Sequence, residues 1–183
     1  MNSLQGHLLI ASQELTDPNF FQSVVLLVQH DDDGAMGMIV NRPSETSLQK
    51  LWSKVEKGPC RYSGVLYRGG PCEGPLMALH DAPELADSTV LDGLYYTTGR
   101  DSIAELVAKP PRFLRIIAGY SGWGAGQLES ELGEDSWRVL PGKREHLNDD
   151  DAQMWRKLTG EIIGAALIKA AHVKHVPKDL RLN

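Results

Sequence analysis

Two short stretches of this 183-residue chain carry side chains that could take part in chemistry. One is the glycine-rich stretch 119–132, whose candidate side chains are Tyr120, Ser121, Trp123, Gln127 and Glu131. The other is Asn41-Arg42-Pro43, in which Arg42 could hold an anionic group. An apolar run precedes the first stretch, and its last residues have helical spacing. This pattern predicts a bend between a strand and a helix. Ligands are often bound at such junctions.

Ser121 is the candidate nucleophile of the first stretch. Gly119-Tyr-Ser-Gly-Trp123 resembles the nucleophile elbow Gly-x-Ser-x-Gly, in which the serine occupies a sharp strand-to-helix turn. The last position is Trp123 instead of glycine, and several glycines separate Ser121 from the helix. We therefore favour a turn serine that bonds nearby backbone, and we predict no catalytic residue.

The Gly122–Gly126 bend is a candidate anion site. Backbone N–H groups that precede a helix can bind phosphate, aided by the helix dipole. The dinucleotide fingerprint, however, requires glycine where Gln127 stands, and the Lys-Ser/Thr pair of a P-loop is absent. Two interpretations stay open: an anion site with Arg42, Gln127 or Glu131 as polar helpers, or glycines that let the chain turn sharply. No cofactor is predicted.

Arg42 is the candidate binding residue of the second stretch. It could clamp a carboxylate or phosphate, but we favour a structural arginine that donates to loop carbonyls. His30 and Arg42 fall at opposite ends of one predicted hairpin, so we do not combine them. His172 and His175 lack further residues at ligand spacing, and no metal site is predicted.

A hairpin and a strand–helix unit must position these residues. Two antiparallel strands are predicted, one at the apolar residues 23–30 and one at residues 35–41, joined by the turn Asp31–Gly34. Gly37 indicates a bulge or a close approach within the second strand. Residues 113–119 predict a strand that enters the bend, and 127–132 predict a helix that Gly133 ends.

The rest of the chain alternates short strands with helices. Strands are predicted at 4–11, 65–67, 76–80, 94–97 and 136–140. Helices are predicted at 47–55 and 101–108, from a cap at Asn148 or Asp149 to Gly160, and at 162–171. Intermingled elements with an antiparallel hairpin favour an α+β fold over a doubly wound parallel sheet. No repeat or shift in composition divides the chain, so we expect a single domain over residues 1–183.

Composition excludes several classes of protein. The formal net charge is −5 and the basic residues are scattered, which disfavours direct binding of nucleic acid. No window approaches the ~20 apolar residues of a membrane span. The N-terminus lacks the features of a signal peptide, so we expect a cytoplasmic protein without membrane contact. Cys60 and Cys72 are then reduced thiols; a disulfide that closes the loop between them is the alternative.

Motifs spread along most of the chain, from Leu8 to about Leu158, resemble those of the AlgH/YqgE family. In order they are Leu8-Leu-Ile-Ala11, Asp17-Pro-x-Phe20, Ser23-Val-Val25, His30, Gly34-Ala-x-Gly37, Asn41-Arg-Pro43, Gly69-Gly-Pro71, Gly119-Tyr-Ser-Gly-Trp123, Gly126-Gln-Leu128, Glu131-Leu132 and Trp137. Each motif is weak alone, but the ordered set is specific. Cys72 departs from the family pattern, where an aliphatic residue is usual, and the segment after Gly160 has no counterpart that we can match.

The resemblance implies a single α+β domain in the bacterial cytoplasm. Its sheet would be bifurcated and mostly antiparallel, curled into a pseudo-barrel with helices packed outside. The resemblance implies no activity. The family carries a transcriptional-regulator label but has no established catalytic residues. That label fits poorly with an acidic chain that lacks a helix-turn-helix pattern.

Two functional hypotheses follow. The first is a non-enzymatic binding or regulatory protein with a groove for a protein or small-molecule partner, lined by Arg42, Tyr120, Ser121, Trp123, Gln127 and Glu131. The second is an enzyme with an anion or phosphate site at the Gly122–Gly126 bend. Both hypotheses expect the corner to bring Tyr120, Trp123 and Gln127 to one accessible hollow.

Overall fold

A computed structural model describes residues 3–55 and 58–173 of the chain. In this part of the chain there are ten strands, four α-helices and two short 3-10 helices. The strands are β1 (His7–Ala11), β2 (Val24–Asp31), β3 (Gly34–Ile39), β4 (Pro43–Ser47), β5 (Val65–Arg68), β6 (Cys72–His80), β7 (Ser88–Leu91), β8 (Leu94–Thr97), β9 (Leu114–Gly124) and β10 (Trp137–Pro141). The helices are α1 (Leu48–Val55), α2 (Arg100–Ala108), α3 (Gln127–Gly133) and α4 (Asp151–Val173).

The strands form one sheet that forks at β9. The main path runs β10-β1-β2-β3-β9-β6-β8-β7, and a branch adds β5 and β4. Along one edge β9 pairs with β6. Along the other edge, Ile116–Ala118 pair in parallel with β5, whereas Ser121–Gly124 pair with β3. The β5–β9 pair is parallel and the other pairings in the described residues are antiparallel.

Glycines allow the backbones to approach closely at this fork. Gly119 lies between the two halves of β9 with a φ of +73°, in the left-handed region that favours glycine. A Cβ atom there would lie 2.9 Å from the Cys72 carbonyl oxygen and 3.0 Å from that of Gly70. Gly69 packs so tightly on the Gly119 carbonyl that a side chain would clash with it. The glycines of these two motifs are therefore required by the branching of the sheet.

The sheet curls into a half-barrel around an apolar core. Its two edges approach each other where Gln5 Nε2 donates to the Thr89 carbonyl, at 2.9 Å. Most of the strands contribute inward side chains to this core, and α4 covers it with Met154 and Leu158. The strand members are Leu8, Ile10, Val24, Leu26, Val28, Met38, Met77, Leu79, Val90, Leu94 and Ile117.

The other helices pack outside the half-barrel. Helices α1 and α2 bury Leu48, Trp52 and Leu106 against the outer face of β6 and β9. Helix α3 buries Leu128 against the outer face of β1, β2 and β3. The predicted fold, an α+β domain with a bifurcated, curled, mostly antiparallel sheet and outer helices, is confirmed.

The predicted hairpin is confirmed in detail. His30 pairs with Ala35 beside the Asp31–Gly34 turn, and the ladder is irregular between Leu27 and Gln29. Gly37 lies opposite this irregularity, and a Cβ atom there would lie 2.6 Å from Val25 Cγ1. Both features expected from a glycine inside a strand, a bulge and a close approach, are present.

Three predicted boundaries were wrong. The strand that was expected to end at Gly119 continues to Gly124, because its second half pairs with β3. Gly160 was expected to end a helix, but α4 runs through it to Val173 as one helix. The N-cap is Asp150, whose Oδ1 accepts from the Ala152 N–H at 2.9 Å, in place of Asn148 or Asp149. The ring of His172 and the whole of His175 lie outside the described residues.

Strands β4 and β7 were missed. The sequence of β4, Pro-Ser-Glu-Thr-Ser, has no alternating apolar pattern because much of the strand is exposed. Strand β7 has one fully buried side chain, Val90. Edge strands of this kind carry little periodic signal, since they bury few side chains.

Candidate functional site

The glycine-rich corner is closed by an aromatic cluster. Trp123, at the end of β9, is only 6% exposed. Its ring packs edge-on against Trp137, with 6.0 Å between centroids, and stacks on Phe20 at 6.3 Å. Phe20 in turn packs edge-on against Trp137 at 5.3 Å. Such contacts between aromatic rings are favourable beyond the area they bury.

Glu131 is the polar centre of this corner. Its Oε2 accepts hydrogen bonds from Trp123 Nε1 at 2.9 Å and from Trp137 Nε1 at 2.8 Å. Its Oε1 accepts from Gln127 Nε2 at 3.0 Å, as the i, i+4 spacing allows. Gln127 Oε1 accepts from the Gly124 N–H at 3.1 Å. The polar side chains of α3 thus satisfy the indoles and the strand end, and they fasten the helix to the sheet.

Ser121 and Tyr120 lie on opposite faces of β9. Ser121 is fully buried and its hydroxyl donates to the Gly69 carbonyl at 3.2 Å. Tyr120 packs against the core of the half-barrel, whereas Trp123 belongs to the outer cluster under α3. The hollow that Tyr120, Trp123 and Gln127 were expected to share is not formed, because alternate residues of a strand point to opposite faces.

His30 and Glu129 meet beside this corner. His30 Nδ1 accepts from the Leu4 N–H at 2.8 Å, so Nε2 carries the proton and donates to Glu129 Oε1, also at 2.8 Å. A hydrogen bond from the backbone N–H of Glu129, followed by the one from His30, lowers the pKa of the Glu129 carboxyl. A cavity of about 450 Å³ adjoins the pair and is lined by Ser3, His30, Asp31, Asp32, Gly126 and Glu129. Sequence reasoning missed this pair because 99 residues separate its members.

Arg42 lies at the opposite end of β3 and fastens a loop. Its guanidinium donates to the carbonyls of Asn19 and Phe21, the latter at 2.8 Å. Asn41 holds the same loop, since its Oδ1 accepts from the Val24 N–H at 2.9 Å and its Nδ2 donates to the Gln22 carbonyl at 3.0 Å. The favoured interpretation of Arg42, an arginine bonded to loop carbonyls, is confirmed.

Two motifs that are distant in sequence meet in this loop. Asp17 Oδ1 accepts from the Asn19 N–H at 2.8 Å, as expected for a turn residue. Gln22 has a φ of +53°, a conformation that costs free energy for a residue with a side chain. Hydrogen bonds from Asn41 and Arg42 offset that cost. The Asp17–Phe20 motif and the Asn41–Pro43 motif therefore build one rigid loop.

An open cleft of about 640 Å³ lies beside this loop. Its lining consists of Asn41, Arg42, Pro43, Ser44, Glu45, Thr46, Arg68 and Ala152. Burial, and next the positive charge of Arg68, lower the pKa of Arg42. The exposed guanidinium of Arg68 has no hydrogen-bonded or ion-paired partner among residues 3–55 and 58–173. The cleft therefore holds two neighbouring cations, and one of them, Arg68, is without a partner in the described part of the chain.

A buried ionic network supports β5, the strand that carries Arg68. The Arg115 guanidinium lies 3.0 Å from Asp151 Oδ1 and donates to the Leu147 carbonyl at 2.7 Å. It also lies 4.7 Å from the centroid of the Tyr67 ring, whose hydroxyl donates to Asp151 Oδ2 at 2.8 Å. Burial raises the pKa of the Tyr67 phenol. Neither Arg68 nor Arg115 was singled out from the sequence, because neither arginine belongs to one of the recognised motifs.

Three other features were looked for in the described residues: a metal site, a disulfide and a membrane-spanning helix. Within them, no group of three or more His, Cys, Asp or Glu side chains could hold a metal ion. Cys60 and Cys72 are both free, so the alternative of a disulfide between them is not formed. In the same part of the chain, no helix has the length and hydropathy of a membrane span.

The fold is that of an α+β half-barrel protein. At one end of β3 the glycine-rich corner is closed by an aromatic cluster, and at the other end the cleft beside Arg42 and Arg68 is open. The chain is similar to AlgH from Pseudomonas aeruginosa, whose solution structure is 31% identical, with a TM-score of 0.75 over 92% of this chain and 94% of that one. The crystal structure of DIP2367 from Corynebacterium diphtheriae shares the fold at 20% identity, with a TM-score of 0.62 over 78% of each chain.

Sequence comparison agrees with the structural likeness. The family model described as AlgH-like matches residues 8–166. UPF0301 protein IL2218 of Idiomarina loihiensis is 38% identical over 172 residues, which cover 88% of this chain and 92% of that protein. UPF0301 protein Smlt1098 of Stenotrophomonas maltophilia is 43% identical over 152 residues, covering 78% and 80%. The chain belongs to the AlgH-like family, as its motifs predicted.

Proposed function

We propose that this protein is a non-enzymatic binding protein whose cleft at Arg42 and Arg68 holds an anionic group of its partner. The observation that carries the proposal is the exposed guanidinium of Arg68, which has no protein partner within residues 3–55 and 58–173, beside the partly buried Arg42. Two N–H groups of the Arg42 guanidinium donate to loop carbonyls, and a guanidinium has five such donors. Several donors therefore remain to face the cleft.

The chemistry of the cleft suits a carboxylate or a phosphate. Planar guanidinium groups bind both anions through paired hydrogen bonds, which are stronger than bonds between neutral groups. An anion placed between Arg42 and Arg68 would also relieve the repulsion of the two cations. One acidic side chain, Glu45, shares the cleft and limits the charge of the group that fits.

Regulation, if this protein provides it, would act through such a partner and not by direct contact with DNA. The formal net charge is −5, and two arginines cannot neutralise a series of backbone phosphates. We also propose a cytoplasmic location, which two free cysteines, Cys60 and Cys72, fit.

The alternative, an enzyme that uses the Gly122–Gly126 bend as an anion site, has less support. The Gly124 N–H that would face an anion already donates to Gln127, and Gln127 and Glu131 bond each other. Arg42, its proposed helper, lies beyond the far end of β3, roughly 20 Å away at the usual rise of a strand. The polar groups assigned to that site are engaged elsewhere.

The test is an NMR titration of the ¹⁵N-labelled protein with inorganic phosphate and, separately, with glutamate. We expect saturable shifts at the amides of residues 41–46 and 68, and at least about a tenfold loss of affinity in Arg68→Gln. Arg112→Gln removes the same charge from an exposed arginine that does not line the cleft, and it should bind like the parent. Shifts that do not saturate, or that persist unchanged in Arg68→Gln, would overturn the proposal.

A further inference from the structure

We propose that His30 is a pH-sensitive latch for the N-terminal segment 3–5. The latch holds the segment while the imidazole is neutral and releases it when a proton binds to Nδ1. His30 lies at the turn end of β3, where it pairs with Ala35, so the latch is independent of the cleft at Arg42 and Arg68.

Both ring nitrogens of His30 are engaged, and the residue is only 7% exposed. Nδ1 accepts from the Leu4 N–H at 2.8 Å, and Nε2 donates to Glu129 Oε1, also at 2.8 Å. An imidazolium donates from both nitrogens and accepts at neither. A proton on Nδ1 would therefore face the Leu4 N–H, and the two donors cannot stay in contact. The bond to Glu129 survives and becomes an ion pair.

The latch acts on a segment that has few other bonds to the body of the protein. Ser3 Oγ donates to the His30 carbonyl at 2.7 Å, and Gln5 Nε2 donates to the Thr89 carbonyl at 2.9 Å. The Leu4 side chain is only partly buried, against the apolar cluster under α3. Terminal segments with so few contacts open at a small cost in free energy. Removal of the bond to Leu4 is therefore enough to free the segment.

Gly6 is the hinge at which the release stops. Its φ is +76°, and its N–H donates to the Leu27 carbonyl at 2.8 Å. Release would also break the turn bond from the His7 N–H to the Leu4 carbonyl, at 2.9 Å. The pairing of β1 with β2 and β10 begins after this hinge, so the strand stays in the sheet.

The surroundings of His30 favour a charged ring once Nδ1 is free. In the described residues its charged neighbours are carboxylates: Glu129 on α3, Asp31 on β2 and, across the cavity, Asp32. The backbone N–H of Glu129 and next the bond from His30 lower the pKa of the Glu129 carboxyl, so it is charged where histidine titrates. A nearby negative charge stabilises an imidazolium.

The direction of the pH effect follows from where the proton can bind. The held state excludes a proton from Nδ1, whereas the released state accepts one. Histidine ordinarily titrates between about pH 8 and pH 5. The held state is therefore favoured at the upper end of this range. As the pH falls, the ratio of released to held segment rises by up to about tenfold for each pH unit.

Release changes two features of the molecule. Ser3 forms part of the wall of the 450 Å³ cavity, so its departure opens the cavity towards the charged pair of His30 and Glu129. The bond from Gln5 to the Thr89 carbonyl joins the two edges of the half-barrel, so its loss loosens that seam. The latch thus couples the protonation of one buried ring to the closure of the half-barrel.

The test is a titration of the ¹⁵N-labelled full-length protein from pH 8 to pH 5, followed by NMR. The ring nitrogens of His30 report the uptake of the proton, and the Leu4 amide reports its hydrogen bond. We expect the Leu4 amide to move to the shift of an unstructured chain in the same transition that protonates His30. The amide of Leu26, in the centre of β2, should not change.

Three results of this titration would overturn the inference. The first is a Leu4 amide that keeps its hydrogen-bonded shift after His30 has taken up the proton. The second is a ring that stays neutral down to pH 5. The third is a transition that Leu4 and Leu26 share, because the whole domain would then be unfolding.

Two substitutions separate the latch from ordinary fraying. His30→Asn offers an amide oxygen as acceptor in place of Nδ1 and does not titrate, so it should hold Leu4 at pH 5 as at pH 8. Glu129→Gln keeps the ring but removes the neighbouring charge, so release should require a lower pH. Glu134→Gln, at an exposed position, is the matched control and should behave like the parent. Release that persists unchanged in His30→Asn would overturn the inference, and equal behaviour of the two glutamine variants would overturn the role of Glu129.

Discussion

The two ends of β3 carry the two motifs richest in polar and aromatic residues, and they are built in opposite ways. At the turn end, Trp123, Trp137, Gln127 and Glu131 satisfy one another and close the corner. At the other end, Arg42 uses part of its hydrogen-bonding capacity to hold a loop, and Arg68 uses none within the described residues. The aromatic cluster at the turn end is packed like a core, with the cavity beside His30 and Glu129 outside it, while the far end opens into the cleft of Arg42 and Arg68.

This contrast shows that the type of a side chain does not make a site. An indole, a carboxylate and an amide at the turn end look like binding groups in the sequence, yet each is a partner of the others in the fold. A side chain is available for a ligand only if hydrogen-bonding capacity remains after folding. By that criterion the far end, with Arg42 and Arg68, is the place to look for function.

The strongest test of the comparison is Trp123→Ala. Removal of this buried indole should lower the free energy of unfolding by about 3–5 kcal/mol, measured by urea denaturation, because it leaves a cavity under α3. The matched control, Phe21→Ala, removes an exposed ring from the open end and should stay within about 0.5 kcal/mol of the parent. A Trp123→Ala variant as stable as the parent would show that the corner is not closed.

Glu131→Gln should have the next largest effect. The carboxylate accepts from two indoles and one amide, and a neutral amide replaces charged acceptors and adds a donor that must find a partner. We expect a loss of about 1–3 kcal/mol in the free energy of unfolding. Glu134→Gln, an exposed position one residue past α3, is the control and should change little. Equal stability of the two variants would contradict the central role of Glu131.

A smaller, pH-dependent effect is expected at Glu129. Its folded pKa is lowered below the ordinary value of 4.5, so the charged form stabilises the fold above that pH and this contribution is lost as the pH falls below it. Glu129→Gln should therefore unfold at slightly lower urea concentration than the parent near neutral pH. The difference between the two midpoints should shrink as the pH is lowered below 4.5. A difference that is constant with pH would show that the backbone N–H of Glu129 and His30 do not lower the pKa of this carboxyl.

The smallest expected effect on stability is that of Arg68→Gln. The side chain is exposed and unpaired within the described residues, and its charge opposes that of Arg42. The urea midpoint should therefore stay within the equivalent of about 0.5 kcal/mol of the parent, or rise slightly. A marked loss of stability would show that Arg68 is as structural as Trp123, and the comparison between the two ends would then fail.

Local patterns predicted much of the fold but not the site. Local sequence patterns were enough to recognise the hairpin, the helix after Gly126 and the motifs of the family, because each depends on residues a few positions apart. The same reasoning ended a strand at Gly119 and a helix at Gly160, since a glycine usually interrupts both. Pairing with β3 carries the strand on through Gly119, and Gly160 lies within α4 without ending it. Long-range pairing with β3 overrode the local signal at Gly119.

The sequence by itself determined the α+β class, the hairpin, the rigid turn at Asp17 and membership of the AlgH-like family. Only the tertiary structure decided which side chains meet: Glu131 with two tryptophans, His30 with Glu129, and Arg42 beside Arg68. The physical reason is the separation along the sequence over which each kind of interaction acts. Periodicity and turn chemistry act over a few residues, whereas these contacts depend on the register of strands and on the fork at Gly119, which no local pattern encodes.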